Sequence, residues 1–412
     1  MSSTKRIKVY LIATEPSGDV IGSHLIRSLK KLNGKRVQFF GIGGPKMTKA
    51  GLIKSLFPIN ELSIFGIFEI LPKIYKVLSL LKKTEKDLLK IKPNVLVTID
   101  SPDFNFRILK RIHDKTPGTK KIHYVAPTVW AWRSGRAKYL SNYIDKLLTI
   151  LPFENKYFKK YNLNTKFVGH PIYEIKKNKK INKKKFNYKY KIKDGYKVVS
   201  FLPGSRLSEI KKSIPVLIET INLIKNQTNL KLHVLFYILP HLKKYFNKYK
   251  FDFSYSLINE IDKYDAFKIS NAAISTSGTV AIELSYFKVP TIVIYKLNLF
   301  SYFLAKVFVK IKHANILNIM ENKYIIPEFL QFKCRPNLIS NELIKLLKDK
   351  SYSNKQLDNA QNALIKLKNN NNKLPSLNAV NEIIYDFWYL LLIIEEIVLI
   401  IEFFFCRLSK SI

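Results

Sequence analysis

The chain is predicted to be an α/β protein built from two doubly wound parallel sheets, and three observations predict it. Short apolar runs, such as 95–99 and 198–202, each stop at a polar or glycine-bearing loop and are followed by a helix-length segment, the repeat that builds parallel sheets. With 412 residues at 47% hydrophobic content, the chain is too long for one ordinary core and fits two domains. A stretch at 176–197 carries eleven lysines, one acid and no hydrophobic periodicity, and reads as a solvated linker. The expected layout is a first domain over 1–175, the basic linker 176–197 and a second domain over 198–375. A helix over 376–386 then crosses back to the first domain, and a hydrophobic tail over 387–412 has no assigned role.

The first domain opens with a strand at 8–13, and Glu15-Pro16-Ser17-Gly18-Asp19 turns it into a helix near 20–31. Gly18 and Gly22 allow a close turn and close helix–strand packing, while Ser17 or Asp19 could simply cap the helix. A second strand at 37–40 ends in Gly41-Ile42-Gly43-Gly44-Pro45-Lys46-Met47. This is no dinucleotide fingerprint, because Lys46 stands at the last glycine position. Gly43 and Gly44 are expected to shape a loop over a substrate cleft. Segment 62–81 is apolar on nearly every side but broken by Glu69, Pro72, Lys73 and Lys76. It is either a core helix or a surface element that touches acyl chains.

The strand at 95–99 places Asp100 at its carboxyl end, where open α/β sheets keep their ligand crevice, so Asp100 is a candidate general base. Asp103 either caps the following helix or lines the cleft. A strand at 121–125 leads to Trp130, Trp132, Arg133 and Arg136, an aromatic and basic mixture suited to a polar cleft wall or to lipid headgroups. Strands at 146–150 and 166–168 complete the domain.

The second domain begins with the buried run 198–202 and then Pro203-Gly204-Ser205-Arg206, a tight loop that delivers one arginine to the sheet mouth. A second strand–loop–helix unit follows at 272–283, with Ser277, Gly278 and Thr279 at the helix start and Glu283 one turn in. A helix N-terminus carries roughly half an elementary positive charge, so small residues there favour a phosphate dianion. The two corners predict a diphosphate clamp of Arg206 with the backbone N–H groups of 277–279. Further strands at 231–236 and 291–295 lead to Asn318, Pro327, Glu328 and Gln331. The tail at 387–406 is nearly continuous apolar sequence, but Glu395, Glu396 and Glu402 disfavour a membrane span and favour an interfacial helix or a buried pairing surface.

The formal net charge is +41, from 71 Lys+Arg against 30 Asp+Glu. The lysines are scattered among many Asn and Ile residues along the whole chain, a coding bias more than a nucleic-acid footprint, so no nucleic-acid partner is expected. An anionic membrane surface is the better partner, since each Lys or Arg near such lipid contributes about 1 kcal/mol. Only Cys334 and Cys406 are present, which excludes a disulfide framework and points to a reducing compartment. The apolar run at 9–13 is too short for a signal peptide, so a cytoplasmic location is expected. The seven histidines are dispersed and no HExxH or paired CxxC occurs, so neither a metal nor another cofactor is expected.

Taken in order, these motifs resemble the bacterial lipid-A-disaccharide synthases, GT-B glycosyltransferases, over roughly residues 7–380. The resemblance rests on Glu15–Asp19, Gly41–Met47, Gly66–Leu71, Ile99–Asn105, Trp130–Arg133, Leu151-Pro152-Phe153-Glu154, Gly169-His170-Pro171, Leu202–Arg206, Ser277–Thr279 with Glu283, and Pro327-Glu328 with Gln331. It implies two Rossmann-like domains facing an interdomain cleft. It also implies inverting transfer of 2,3-diacylglucosamine from UDP-2,3-diacylglucosamine to the 6-hydroxyl of 2,3-diacylglucosamine 1-phosphate, giving a β-1,6 disaccharide and UDP. Peripheral association with the inner face of the cytoplasmic membrane follows from the same resemblance, and a homo-oligomer is left open. The implied catalytic residues are Asp100 and Glu15, with Asp100 ranked first. The donor set is Arg206, Ser277, Gly278, Thr279, Glu283 and Asn318; the acceptor side is Ser17, Asp19, Gly43, Gly44, Asp103, Trp132 and Arg133. Thr14 departs from the family's usual glycine, and the tail has no counterpart in it. Two alternatives are another GT-B enzyme on a UDP-sugar, such as an epimerase or muropeptide-type transferase, and a non-catalytic protein that binds anionic lipid or nucleic acid.

Overall fold

The computed structural model describes residues 6–62, 74–176, 181–276, 280–308 and 311–384, and the chain divides into two units, Met1–Glu174 with Asn369–Ile412, and Ile175–Lys368. The first contains β1 (Ile7–Ala13), β2 (Val37–Ile42), β3 (Val95–Ile99), β4 (Lys120–Tyr124), β5 (Lys146–Thr149) and β6 (Thr165–Phe167). All pair in parallel, in the order β2-β1-β3-β4-β5-β6.

Successive strand residues point to opposite faces, so each face of this sheet grows its own core. Val9, Leu11, Val97 and Ile99 pack with Leu25, Ile26 and Leu29 of the helix Pro16–Asn33. Tyr10, Ile12 and Leu96 pack with Phe106, Leu109 and Ile112 of the helix Pro102–Ile112. A helix over 375–384 adds Ala379, Val380 and Ile383 to the first of these cores. It is pinned there by Lys146 Nζ on Glu382 Oε2 at 3.0 Å and by Asn378 Nδ2 on the Val168 carbonyl at 3.0 Å.

The second unit contains β7 (Lys197–Leu202), β8 (Leu232–Phe236), β9 (Ser254–Leu257), β10 (Ala272–Thr276), β11 (Thr291–Tyr295) and β12 (Glu328–Leu330). They too are parallel, in the order β12-β11-β10-β7-β8-β9. In each sheet the chain winds outwards from its first strand and then returns to the other side. The strand order therefore reverses between β1 and β3 in one unit and between β7 and β10 in the other. Ligand crevices of open α/β sheets form at such switch points, outside the carboxyl ends of the strands.

One expectation needs correction. The basic stretch is not a bare linker, because Lys183–Lys189 is a helix. Phe186, Tyr190 and Ile192 are buried against Val198, Leu235 and Ile258, so residues 181–197 belong to the second unit, while Lys183, Lys184, Lys185, Lys189, Lys191 and Lys193 are exposed. Residues 177–180 lie outside the described residues. So do 63–73 of the apolar segment and the whole tail from 385. From 74 onwards that segment is the helix Ile74–Ile91, with Leu80, Leu81 and Leu88 buried and Tyr75 exposed. Among the described residues, no helix is long and apolar enough to cross a membrane.

Candidate active site

Ala13 of β1 pairs with Ile99 of β3, so the loops that open at Thr14 and Asp100 leave the sheet side by side. Asp100 and Ser101 both take left-handed backbone conformations, with φ of 51° and 47°. Each such turn costs a residue with a Cβ roughly 1–2 kcal/mol, and the surrounding hydrogen bonds hold it. The Asp100 N–H donates to the Tyr124 carbonyl at 2.9 Å, and Asn105 Nδ2 donates to the Asp100 carbonyl at 2.6 Å. Val125 and Arg133, on the loop after β4, are left-handed as well. Strain gathered at one sheet edge is a mark of a functional site. Asp100 is half-buried, and burial pushes its carboxyl pKa up, against a smaller opposing pull from the Ser101 backbone N–H. A raised carboxyl pKa moves the group towards the range of an effective base.

Glu15 is exposed immediately before the helix Pro16–Asn33, with Ser17 exposed in its first turn. Asp19, expected on the acceptor side, is buried, and its carboxylate accepts from the backbone N–H groups of Gly44 at 2.9 Å, Lys46 at 3.0 Å and Met47 at 2.9 Å. It is spent on pinning the glycine loop to the first helix. This also explains Gly44, where a Cβ would stand 2.5 Å from Asp19 Oδ2. Gly43 and Gly44 line an open groove of about 600 Å³ with Pro45, Thr48, Lys49, Pro58 and Ile59.

Asp103 lies in the first turn of its helix but does not cap it. It ion-pairs with Arg136 and stands 3.7 Å from Arg133. The Arg133 guanidinium is 4.2 Å from the centre of the exposed Trp132 ring. One carboxylate thus holds two arginines beside an indole, on the strand edge that bears Asp100. Glu154, deep in the loop after β5, accepts from Leu151 N at 3.0 Å and Trp130 Nε1 at 3.4 Å, and burial pushes its pKa up to about 7.

In the second unit Leu202 of β7 pairs with Ser275 of β10, which again puts the two candidate loops side by side. Gly204 has φ of 110°, and a Cβ there would meet Glu209 Oε2 at 2.2 Å. That oxygen accepts from the N–H groups of Ser205 at 2.8 Å and Arg206 at 3.2 Å, while Glu209 Oε1 takes the Tyr295 hydroxyl at 3.2 Å and lies 3.8 Å from Arg206 Nη1. The loop amides are therefore capped internally, and the exposed Arg206 guanidinium is the group turned outwards. Lys212 and Lys296 line a small recess with Glu209, Ser213 and Thr276. Burial lowers the Lys212 pKa, and the Lys296 charge lowers it further. Ser277, Gly278 and Thr279 lie outside the described residues. Glu283, in the first turn of the helix Val280–Tyr286, is ion-paired with Lys263.

The structure places Asn318, expected in the donor set, inside a buried hydrogen-bond cluster. It is fully buried, its Oδ1 accepts from Ile325 and Ile326 N–H at 2.9 Å each, and its Nδ2 donates to Ile326 O at 2.8 Å and Glu328 Oε1 at 2.9 Å. No valence remains for a ligand. Sequence reasoning assigned no role to Asn105, Glu209, Lys212 or Lys296. Glu209 carried a signal, since an acid three residues after Arg206 has capping-box spacing, and Lys212 sits one turn further on the same helix. Lys296 follows β11 with nothing local to mark it. Among the described residues no group of three or more His, Cys, Asp or Glu is placed to hold a metal ion.

A family profile described as lipid-A-disaccharide synthetase matches residues 9–382. The lipid-A-disaccharide synthase of Rickettsia bellii is 36% identical over 385 residues, which cover 92% of this chain and 99% of that one. Those of Rickettsia canadensis and Rhodospirillum centenum are 38% and 37% identical, over 92% and 86% of this chain and 98% and 88% of theirs. Among solved structures, the fold is shared with a UDP complex of MnaA from S. aureus, at a TM-score of 0.59 and 15% identity over 93% of this chain and 97% of that one. It is shared too with the glycotransferase of kitacinnamycin, at a TM-score of 0.58 and 12% identity over 92% and 98%. These last two likenesses establish the fold, two Rossmann-like α/β domains of the GT-B type.

Proposed function

The chain belongs to the lipid-A-disaccharide synthetase family and is a glycosyltransferase that forms the lipid A disaccharide, and from that premise we propose how its residues divide the work. The donor is UDP-2,3-diacylglucosamine, the acceptor is 2,3-diacylglucosamine 1-phosphate, and the products are the β-1,6-linked disaccharide 1-phosphate and UDP. The observation that carries the assignment is the coincidence of Asp100 and Arg206 with the two switch points. Each candidate loop opens where its sheet reverses strand order.

In this mechanism Asp100 accepts the proton of the acceptor 6-hydroxyl as that oxygen attacks the anomeric carbon, worth roughly 100- to 10,000-fold in rate. Inversion follows from a single attack opposite the leaving group. The bond to UDP breaks as the new bond forms, and the negative charge that develops on the diphosphate is met by Arg206, with Lys212 and Lys296 behind it. Preorganised positive groups at a developing anion commonly supply several kcal/mol. The N–H groups of 277–279 complete the clamp, and Glu283 takes the ribose hydroxyls. Glu15 contacts the acceptor sugar, alongside Ser17 and the groove at Gly43 and Gly44. Trp132, Arg133 and the Asp103 carboxylate face the acceptor headgroup. Asp19 and Asn318 act only through the loops they hold.

Both substrates are acylated, so the enzyme is read as working peripherally at the inner face of the cytoplasmic membrane, with the apolar segment at 62–81 reaching the acyl chains. An epimerase activity is not favoured, because the curated relatives that match over nearly the whole chain share the synthase description. The test is incubation of purified protein with both acylated glucosamine substrates. UDP and the disaccharide 1-phosphate are expected in equal amounts; an epimerised donor, or no UDP release with both substrates present, would reverse the assignment.

A further inference from the structure

The helix Leu299–Phe308, which follows β11, leaves Leu299 60%, Phe303 59% and Val307 75% exposed. Residues four apart stack along one side of a helix, so these three make a continuous apolar row and not scattered surface residues. Phe332, 58% exposed, widens the row. Tyr302 joins the two elements, with its ring centre 5.4 Å from that of Phe332 and 5.9 Å from that of Phe303.

The rim of the row is cationic. Lys306, Lys333 and Arg335 are exposed around it, and the sequence has no Asp or Glu from 284 to 320 or from 329 to 341. Charge of one sign decides between occupants. A second copy would bring the same cations against these, and a nucleic acid would leave the apolar row in water. An anionic bilayer complements both features, with the apolar side chains entering the acyl boundary and the ammonium and guanidinium groups meeting lipid phosphates. We infer that this face of the second unit docks on an anionic lipid bilayer, separately from the apolar segment of the first unit. The inference rests on the lipid-handling reading above for its purpose, and its test uses vesicles without substrate, so either can fail alone.

The test is flotation of the full chain with phosphatidylcholine vesicles, with and without phosphatidylglycerol. Wild type is expected to float with the anionic vesicles. The combined Leu299→Ser, Phe303→Ser and Val307→Ser variant is expected to bind at least about tenfold more weakly, since three apolar side chains no longer leave water on docking. Lys306→Glu with Lys333→Glu should weaken binding to anionic vesicles and leave the neutral ones unaffected. Transferase activity of the triple variant in detergent micelles, at the wild-type level, shows that it is folded. As a second readout, Phe303→Trp should be quenched by brominated lipid beyond the quenching of wild type. Equal flotation of wild type and triple variant, or no excess quenching at position 303, overturns the inference. So does self-association of wild type that the triple variant abolishes without any vesicle binding, which would give the face to a second copy of the chain.

Discussion

The Glu209 carboxylate accepts the backbone N–H of Ser205 at 2.8 Å, so the loop after β7 already holds one negative charge at the start of its helix. Its amides are thereby taken, and the work of binding a diphosphate passes to side chains. Arg206, whose own N–H is also tied to Glu209 at 3.2 Å, is the one that reaches outwards.

Arg206→Ala is expected to weaken UDP binding by about 10- to 100-fold, the worth of a hydrogen bond to a charged group at roughly 1.5–3 kcal/mol. Arg206→Lys should recover only part of this, because an ammonium cannot make the forked contact of a guanidinium. Titration calorimetry with UDP measures it, and unchanged affinity in Arg206→Ala would remove the residue from the clamp.

Asp100→Asn should lower the turnover rate by roughly 100- to 10,000-fold while UDP affinity stays within about twofold. The base works as the carboxylate, so activity falls as pH falls through its pKa. Burial raises that pKa, which places the acid limb of the rate profile above the ordinary carboxylate range of about 4. Wild-type kcat/KM against pH should show this limb, and the asparagine variant's residual rate should lack it.

Asp19→Ala removes an acceptor from three backbone N–H groups of the glycine loop. Unfolding in urea should show a loss of about 2–4 kcal/mol from the first unit, from the lost cap and the unsatisfied buried amides. Activity should fall through a raised acceptor KM, since the groove at Gly43 and Gly44 loses its support. A variant with wild-type stability would show that the pin is dispensable.

Acid sensitivity of the second unit should trace to one buried histidine. His233 is buried between the hydroxyls of Ser254 at 2.7 Å and Ser256 at 3.1 Å, and burial lowers its pKa to about 4. The unfolded chain takes up the proton near pH 6.5 and the folded chain does not, so stability is full above that pH and falls below it. From about pH 6.5 to 5 the loss is roughly 2 kcal/mol. His233→Gln should abolish this loss in the second unit, as read by urea unfolding at pH 7 and pH 5. In the first unit, His123 and His170 act in the same direction, with pKa values lowered to about 3 and about 4. The raised carboxyl groups of Glu154 and Asp100 act oppositely, because they bind protons more readily when folded.

The strands, the loops at their carboxyl ends and the candidacy of Asp100 and Arg206 were legible in the chain alone, because each depends on neighbours within a few residues. An apolar run stopped by a polar or glycine-bearing loop states its own end. Tertiary structure decided what those loops became. Only the parallel order of the strands sets Ala13 beside Ile99 and Leu202 beside Ser275, and so brings two pairs of loops to two switch points. Asp19 is removed from the surface by amides 25 to 28 residues away, and Asn318 is consumed by Ile325, Ile326 and Glu328. The lysine-rich stretch became a helix because three apolar residues found a core that no local pattern announced. Whether a polar side chain is spent inside the fold or offered to a ligand depends on hydrogen-bond partners distant in sequence, and folding alone brings them together.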